Sequence, residues 1–229
     1  MTLDDVRIAW SRPDVLWIVG LGFISVLLWN LPVVKLLFYP FRILDVFIHE
    51  LSHVLVAGMT GGKFMRFEVN LDISGVAYRY GGNTFFVAQA GYLGSPLVGG
   101  FLMLLTTTSI PARVILIWMS LLLGLLCALF VANCFGVIVG GALTLALFYA
   151  GWQLDDQSAK LVLLFLVVQM ILSALDSLFA LMKHPKFPGA VTDAEKMESI
   201  TSIPAGTWAT LWSVIAIGIL IWSVTVAYR

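Results

Sequence analysis

Charge is the scarcest commodity in this sequence: Asp, Glu, Lys and Arg together make up 11% of its 229 residues. A soluble domain of that size carries about a quarter. A chain this poor in charge cannot cover a water-facing surface, so lipid is its expected solvent. There is no basic excess either. Thirteen Lys and Arg balance thirteen Asp and Glu, which excludes a nucleic-acid-binding face. Cysteine is nearly absent, and Cys127 and Cys134 both stand in apolar runs. Two such residues exclude a disulfide scaffold and a Cys-type zinc site; they read as packed free thiols. No internal repeat or low-complexity stretch is present. No cleavable leader is expected, because the first long apolar run, Val15–Val34, has no small-residue cleavage site after it. That run is long enough to cross a bilayer, which takes roughly 20 residues, and is expected to remain as a first helix.

What the chain has in abundance is apolar length: 60% of it is hydrophobic, and mean hydropathy is +0.99. Charge-free stretches set the layout. After Val15–Val34 comes Tyr80–Ala112, whose helical part runs from near Ala88 to the Thr106-Thr107-Thr108 cluster. Val114–Leu154 is too long for one crossing and breaks at Asn133-Cys134. Leu161–Met182 is apolar except for Asp176, and Ser199–Tyr228 holds a last span after Pro204. A further helix, Pro40 to about Met59, carries Arg42, Asp45, His49, Glu50 and His53, with Gly61-Gly62 as its stop. Ionisable groups in a membrane helix are expensive, so these should face a protein-lined or wet cavity.

Between that helix and the next span, Lys63–Phe86 alternates apolar and polar residues and is punctuated by Gly75 and Gly81-Gly82-Asn83. This predicts two or three short strands or a hairpin, either at the membrane surface or packed against the bundle. The expected fold is therefore an all-α polytopic membrane protein: a single domain over residues 1–229, with about seven membrane helices and a small β-hairpin after the charged helix. With the N-terminus inside, eight basic residues (Arg7, Arg12, Lys63, Arg66, Arg79, Lys183, Lys186, Lys196) fall on the inner side. Five (Lys35, Arg42, Arg113, Lys160, Arg229) fall outside, which predicts a cytoplasmic N-terminus.

His49-Glu50-Leu51-Ser52-His53 is a HExxH match. Residues four apart on a helix share a face, so both imidazoles point at one ion, and Glu50 stands beside them to act as catalytic base. Two imidazoles with one carboxylate suit zinc and leave a fourth position open. Chance would produce this pattern in roughly one of 1,500 chains of such composition. Asp176 is the expected third ligand. It lies six residues before Met182 as His53 lies six before Met59, so both stand about 9 Å from one membrane side at 1.5 Å per residue. Asp193, in a segment that could fold back, is the alternative. Asp45, one turn before His49, is placed either to orient an imidazole or to pair with Arg42. Gly91 and Gly94, in Ala90-Gly91-Tyr92-Leu93-Gly94-Ser95-Pro96, permit close helix packing or leave room for an extended substrate. Asp155-Asp156 and His184 read as solvated loop residues.

These residues resemble the site-2 protease family of intramembrane zinc metallopeptidases, most closely its compact B-like branch. The resemblance rests on Phe47-Ile48-His49-Glu50-Leu51-Ser52-His53, Thr60-Gly61-Gly62-Lys63, Ser74-Gly75-Val76-Ala77, Ala90-Gly91-Tyr92-Leu93-Gly94, Thr192-Asp193-Ala194 and Ile203-Pro204-Ala205. It covers most of the chain from about Phe41 onward. It implies zinc on His49 and His53, Glu50 as base, a helix-borne aspartate as third ligand, and a membrane-embedded protein or peptide substrate. Better-studied members carry that aspartate in an Asp-Gly motif after the second core helix, and this chain has none. Two other functions fit the composition: a non-catalytic metal-binding scaffold that binds a partner, and a small transporter with a His and Asp ion path. An intact Glu50 disfavours the first, and the absence of paired halves disfavours the second.

Overall fold

The computed structural model describes residues 3–28, 31–184 and 191–229. Two helices lead the chain, α1 (Leu3–Trp10) and α2 (Pro13–Leu28), followed by the long α3 (Pro32–Met59). A hairpin of β1 (Lys63–Val69) and β2 (Gly75–Tyr80) comes next, then α4 (Thr84–Leu105), α5 (Ala112–Phe130), α6 (Cys134–Gln153) and α7 (Asp156–Lys183). A short polar α8 (Asp193–Thr201) and the last helix, α9 (Ala205–Ala227), complete it. Among the described residues, α4, α5, α6, α7 and α9 are long and apolar enough to cross a bilayer. The protein is a multi-pass integral membrane protein.

The expected count of seven spans is not reproduced. Val15–Val34 is not one helix. Proline fits the first turn of a helix, where its missing N–H is an orphan anyway, and here Pro32 opens α3 and leaves α2 with 16 residues. Pro40, read as the start of the charged helix, lies inside it. At 28 residues α3 is long enough to cross, but its ionisable side chains keep it out of the apolar class.

The core lies around α7, which packs against α2, α3, α4, α5 and α9. Its inward face of Leu163, Leu166, Val167, Met170, Ile171, Ala174 and Leu178 is buried. Small residues let neighbouring helices close on one another. A methyl at Gly151 of α6 would sit 2.8 Å from the Arg113 carbonyl of α5, and Gly140 of α6 lies against buried Cys127. Cys134, expected to be packed, is exposed at the start of α6.

The hairpin is antiparallel, pairing Val69 with Gly75 and Lys63 with Tyr80, with an irregularity between Phe64 and Arg66. Gly81 and Gly82 take φ of 73° and 80°, a region that favours glycine, and they turn the chain from β2 into α4. The hairpin packs lengthwise against α3. Gly62 donates its N–H to Ala57 O (2.8 Å), and the Tyr39 hydroxyl donates to Leu71 O at the far tip (2.7 Å). Ala57 and Tyr39 are 18 residues apart on α3, about 27 Å along its axis, so the hairpin runs beside α3 through most of its length.

Backbone groups at that depth need protein partners. The outer edge of β1 finds them on the α5–α6 connection. Ala132 donates to Phe67 O (2.8 Å), while Asn133 accepts from Val69 N (3.2 Å) and donates to Val69 O (2.7 Å). Phe67 packs edge-on to Phe47 of α3, with ring centroids 5.7 Å apart.

The two ends of the bundle sort the charges differently from the sequence-based tally. Trp10 donates to Thr225 (3.2 Å), Arg12 to Tyr228 O (3.0 Å), and Arg229 pairs with Asp5 (3.1 Å). The N-terminal arginines therefore share an end with Arg229. The eight-against-five division behind the N-inside expectation puts Arg12 and Arg229 on different sides, and the fold brings them together. Lys186, counted in it, lies outside the described residues.

Asn133→Ala removes both hydrogen bonds that hold Val69. The expected cost is about 1–3 kcal/mol, because two buried backbone groups lose their partners. Faster amide exchange at Val69, with no change in the middle of α7, is the result to look for.

Candidate metal centre

The site starts from the four-residue spacing on α3, which stacks two imidazoles one above the other. Their ring centroids are 4.7 Å apart and their Nε2 atoms 3.1 Å. His53 is oriented from outside: its Nδ1–H donates to the backbone carbonyl of Val87 on α4 (2.7 Å). That bond fixes the tautomer and leaves the Nε2 lone pair facing His49.

The third group comes from α8. Thr192-Asp193-Ala194-Glu195 forms a capping box: Thr192 Oγ1 accepts from Glu195 N (3.1 Å), and Glu195 accepts from Thr192 N (2.8 Å). This reciprocal pair satisfies two otherwise orphaned donors and starts the helix at a defined residue. Asp193, next in line, is thereby held with its side chain buried. Its Oδ2 lies 2.9 Å from His53 Nε2 and 3.3 Å from His49 Nε2, and its Oδ1 accepts from Lys196 Nζ (2.8 Å). The Lys196 ammonium against Oδ1 favours the ionised carboxylate.

His49, His53 and Asp193 are a group that could hold a metal ion, with ligand atoms all within 4.8 Å of one another. The three edges of the triangle measure 2.9, 3.1 and 3.3 Å. Donors placed 2.0–2.1 Å from a tetrahedral ion stand about 3.3 Å apart, so the triangle has the size a zinc-like ion needs. A single proton relieves the repulsion along one edge only; one cation relieves all three.

Two glycines press on this group from neighbouring elements. A methyl at Gly91 of α4 would fall 2.5 Å from His53 Nε2, and one at Gly75 of β2 would fall 2.6 Å from Cγ of Glu50. Glu50 is buried beside the imidazole pair, under the start of β2. Gly94 does a different job: a methyl there would meet Cβ of Ser52 at 2.6 Å, so it lets α4 pass α3 one turn away.

Asp176, the expected third ligand, is not brought to the imidazoles. Its carboxylate pairs with Arg42 at 2.7 Å. Arg42 stands 11 residues before His53, about 16 Å along the helix. Counting six residues back from each apolar boundary assumed that α3 and α7 end at one depth, and they do not. Asp193, the alternative, is the acid that arrives. Asp45 is buried with Oδ1 lacking a hydrogen-bond partner, so it does not hold His49 in this structure. Asp155 caps α7 by accepting from Ser158 N (3.0 Å), Asp156 accepts from Arg113 N (3.4 Å), and His184 is exposed at the C-terminal end of α7.

With the geometry in hand, relatedness can be set beside it. Residues 13–223 match the family described as Peptidase M50B-like, a stretch that includes both imidazoles, Glu50 and Asp193. The chain belongs to that family. Neither a curated protein nor a solved structure matches it. Membership in the M50B-like family agrees with the resemblance carried by the HExxH helix and the Thr60-Gly61-Gly62-Lys63 turn.

Two partners of the site were not singled out from sequence. The Val87 carbonyl has no signature, because any residue supplies one. Tyr92 could have been found: it sits between Gly91 and Gly94, and its ring lies edge-on to His49 with centroids 4.7 Å apart.

Gly91→Ala is expected to cost about 1–3 kcal/mol through overpacking against the imidazoles. A lower melting temperature of the purified protein in detergent is the readout. Gly58→Ala, where a methyl meets nothing within 4 Å, serves as the control and should not lower it.

Proposed function

We propose that this M50B-like chain is a zinc-dependent intramembrane metalloprotease that hydrolyses peptide bonds in or near transmembrane segments of its substrates. The observation that carries the reading is the convergence of His49, His53 and Asp193 next to buried Glu50. In this reading the three hold zinc, which when bound supplies Lewis-acid polarisation. Glu50 takes a proton from the attacking water as the oxygen adds to the scissile carbonyl carbon. It then returns that proton to the amide nitrogen as the C–N bond breaks. His53, fixed by the Val87 carbonyl, and Asp193, fixed by the capping box and Lys196, keep their donor atoms aimed at one point, so little reorganisation is left for the reaction itself.

The substrate segment is extended, and it pairs with the hairpin. The outer edge of β1 is already occupied by the connection between α5 and α6. Among the described residues β2 pairs with β1 alone, and Val76 and Tyr78 beside that edge are 43% and 45% exposed. Strand addition to β2 satisfies its remaining backbone groups and brings the added chain past Gly75, directly over Glu50. Gly75 has no side chain to separate the two.

The test uses the full chain purified in detergent. Wild type and Glu50→Gln are expected to hold one zinc each, and Glu50→Gln to lose hydrolysis of a panel of transmembrane substrates. His53→Ala and Asp193→Ala lose stoichiometric zinc; Asp176→Ala keeps it. Removing the ion with a chelator abolishes cleavage, and adding zinc back restores it. Stoichiometric zinc that survives Asp193→Ala sinks the ligand assignment. Cleavage undiminished in Glu50→Gln sinks the mechanism.

A further inference from the structure

The two imidazoles of the metal centre are held by different means. Nδ1 of His53 is anchored on a backbone carbonyl. His49 makes its hydrogen-bonding contacts through Nε2, to His53 and Asp193, and among the described residues nothing hydrogen-bonds its Nδ1. Asp45, one turn before His49 on α3, leaves its buried Oδ1 without a partner. An imidazole held at one nitrogen only is free to swing, because the torsion that turns the ring has broad, shallow wells.

Packing supplies the missing constraint. Tyr92 meets His49 edge to face, at 4.7 Å and 87°. Behind it Trp212 of α9 lies nearly parallel to Tyr92, with centroids 5.3 Å apart and planes 13° from each other. Trp212 is fully buried, its indole Nε1 has no hydrogen-bond partner, and it leans on Trp208 at 6.2 Å. The indole is therefore present for its surface rather than its polar handle, since a buried Trp N–H ordinarily finds an acceptor. Trp208 in turn meets Phe85 at the start of α4. The rings form a column from α9 to the metal helix, and Tyr92 is the member that touches the site. Adjacent residues of α4 thus have opposite tasks: Gly91 leaves space over the imidazole nitrogens, and Tyr92 fills the space beside them.

We infer that Tyr92 is a positioning residue for His49, acting through its ring: backed by Trp212, it fixes the plane of His49 as the Val87 carbonyl fixes that of His53. The inference rests on the metal-site reading above. It assigns the role to the flat aromatic face and none to the hydroxyl. It therefore separates two substitutions that a general loss of packing would not.

The experiment measures zinc affinity by chelator competition, and the visible absorption of the cobalt-substituted protein, on the full chain in detergent. Tyr92→Phe is expected to match wild type in both. Tyr92→Leu and Tyr92→Met keep comparable apolar bulk but lose the flat ring. They are expected to bind zinc about 10- to 100-fold more weakly, the usual cost of losing a group that orients a ligand, and to show a shifted cobalt spectrum. Trp118→Leu removes an exposed ring on α5, outside the column, and should leave both readouts unchanged. Unchanged affinity and spectrum in a folded Tyr92→Leu or Tyr92→Met overturn the proposal. So does a Tyr92→Phe that loses as much as they do. A wild-type protein that takes up no zinc removes the metal site itself, an outcome distinct from zinc binding that is indifferent to Tyr92.

Discussion

Three electron-pair donors lying within about 3 Å of one another repel, and in an apolar bundle there is little water to screen them. The energy of like groups at short range grows as the local dielectric falls, and an ionisable residue at membrane depth is already expensive. His49, His53 and Asp193 nevertheless sit in that arrangement, two of them on one helix and one on another. A positive charge at their centre would turn the repulsion into attraction along every edge. Much of the surrounding structure follows from accommodating that centre. Glycine replaces side chains where α4 and β2 come close, the capping box pins the acid, and a backbone carbonyl and an aromatic ring set the imidazole planes.

The hairpin answers a second constraint, the need to satisfy backbone polar groups away from water. β1 is sealed on both sides, by β2 and by the Asn133 connection, and Phe67 drives into the contact with Phe47. β2 is sealed on one side only. An element built this way has one finished edge and one that pairs with nothing further among the described residues, and the latter begins at Gly75, against Glu50.

Much of this was readable in the chain before any coordinates. The His49–His53 spacing has one geometric meaning on a helix, and the apolar-polar alternation with Gly75 and Gly81-Gly82 announced a hairpin. Depth was harder to read. Asp176 stands out as the one charge in a long apolar run, and its partner Arg42 has a nearer acid on its own helix, Asp45, so the pairing across helices is not legible locally. Thr192 and Glu195, three apart, spell a helix start at Asp193, but a capping box says nothing of which other helix its first turn will meet. The first apolar run divides for a local reason: it has no visible break when the next helix begins on Pro32 inside it. Packing partners such as Val87 and Trp212 depend on how α4 and α9 approach α3, which no local pattern encodes.

The third donor belongs to the last fifth of the polypeptide, 140 residues after the second imidazole. The two histidines are in place once α3 has formed, but the centre cannot close until α4 through α7 have been inserted and α8 has capped itself. A chain cut short before α8 keeps both imidazoles and Glu50 but lacks Asp193, so the group of three depends on a segment far along the sequence from its first two members.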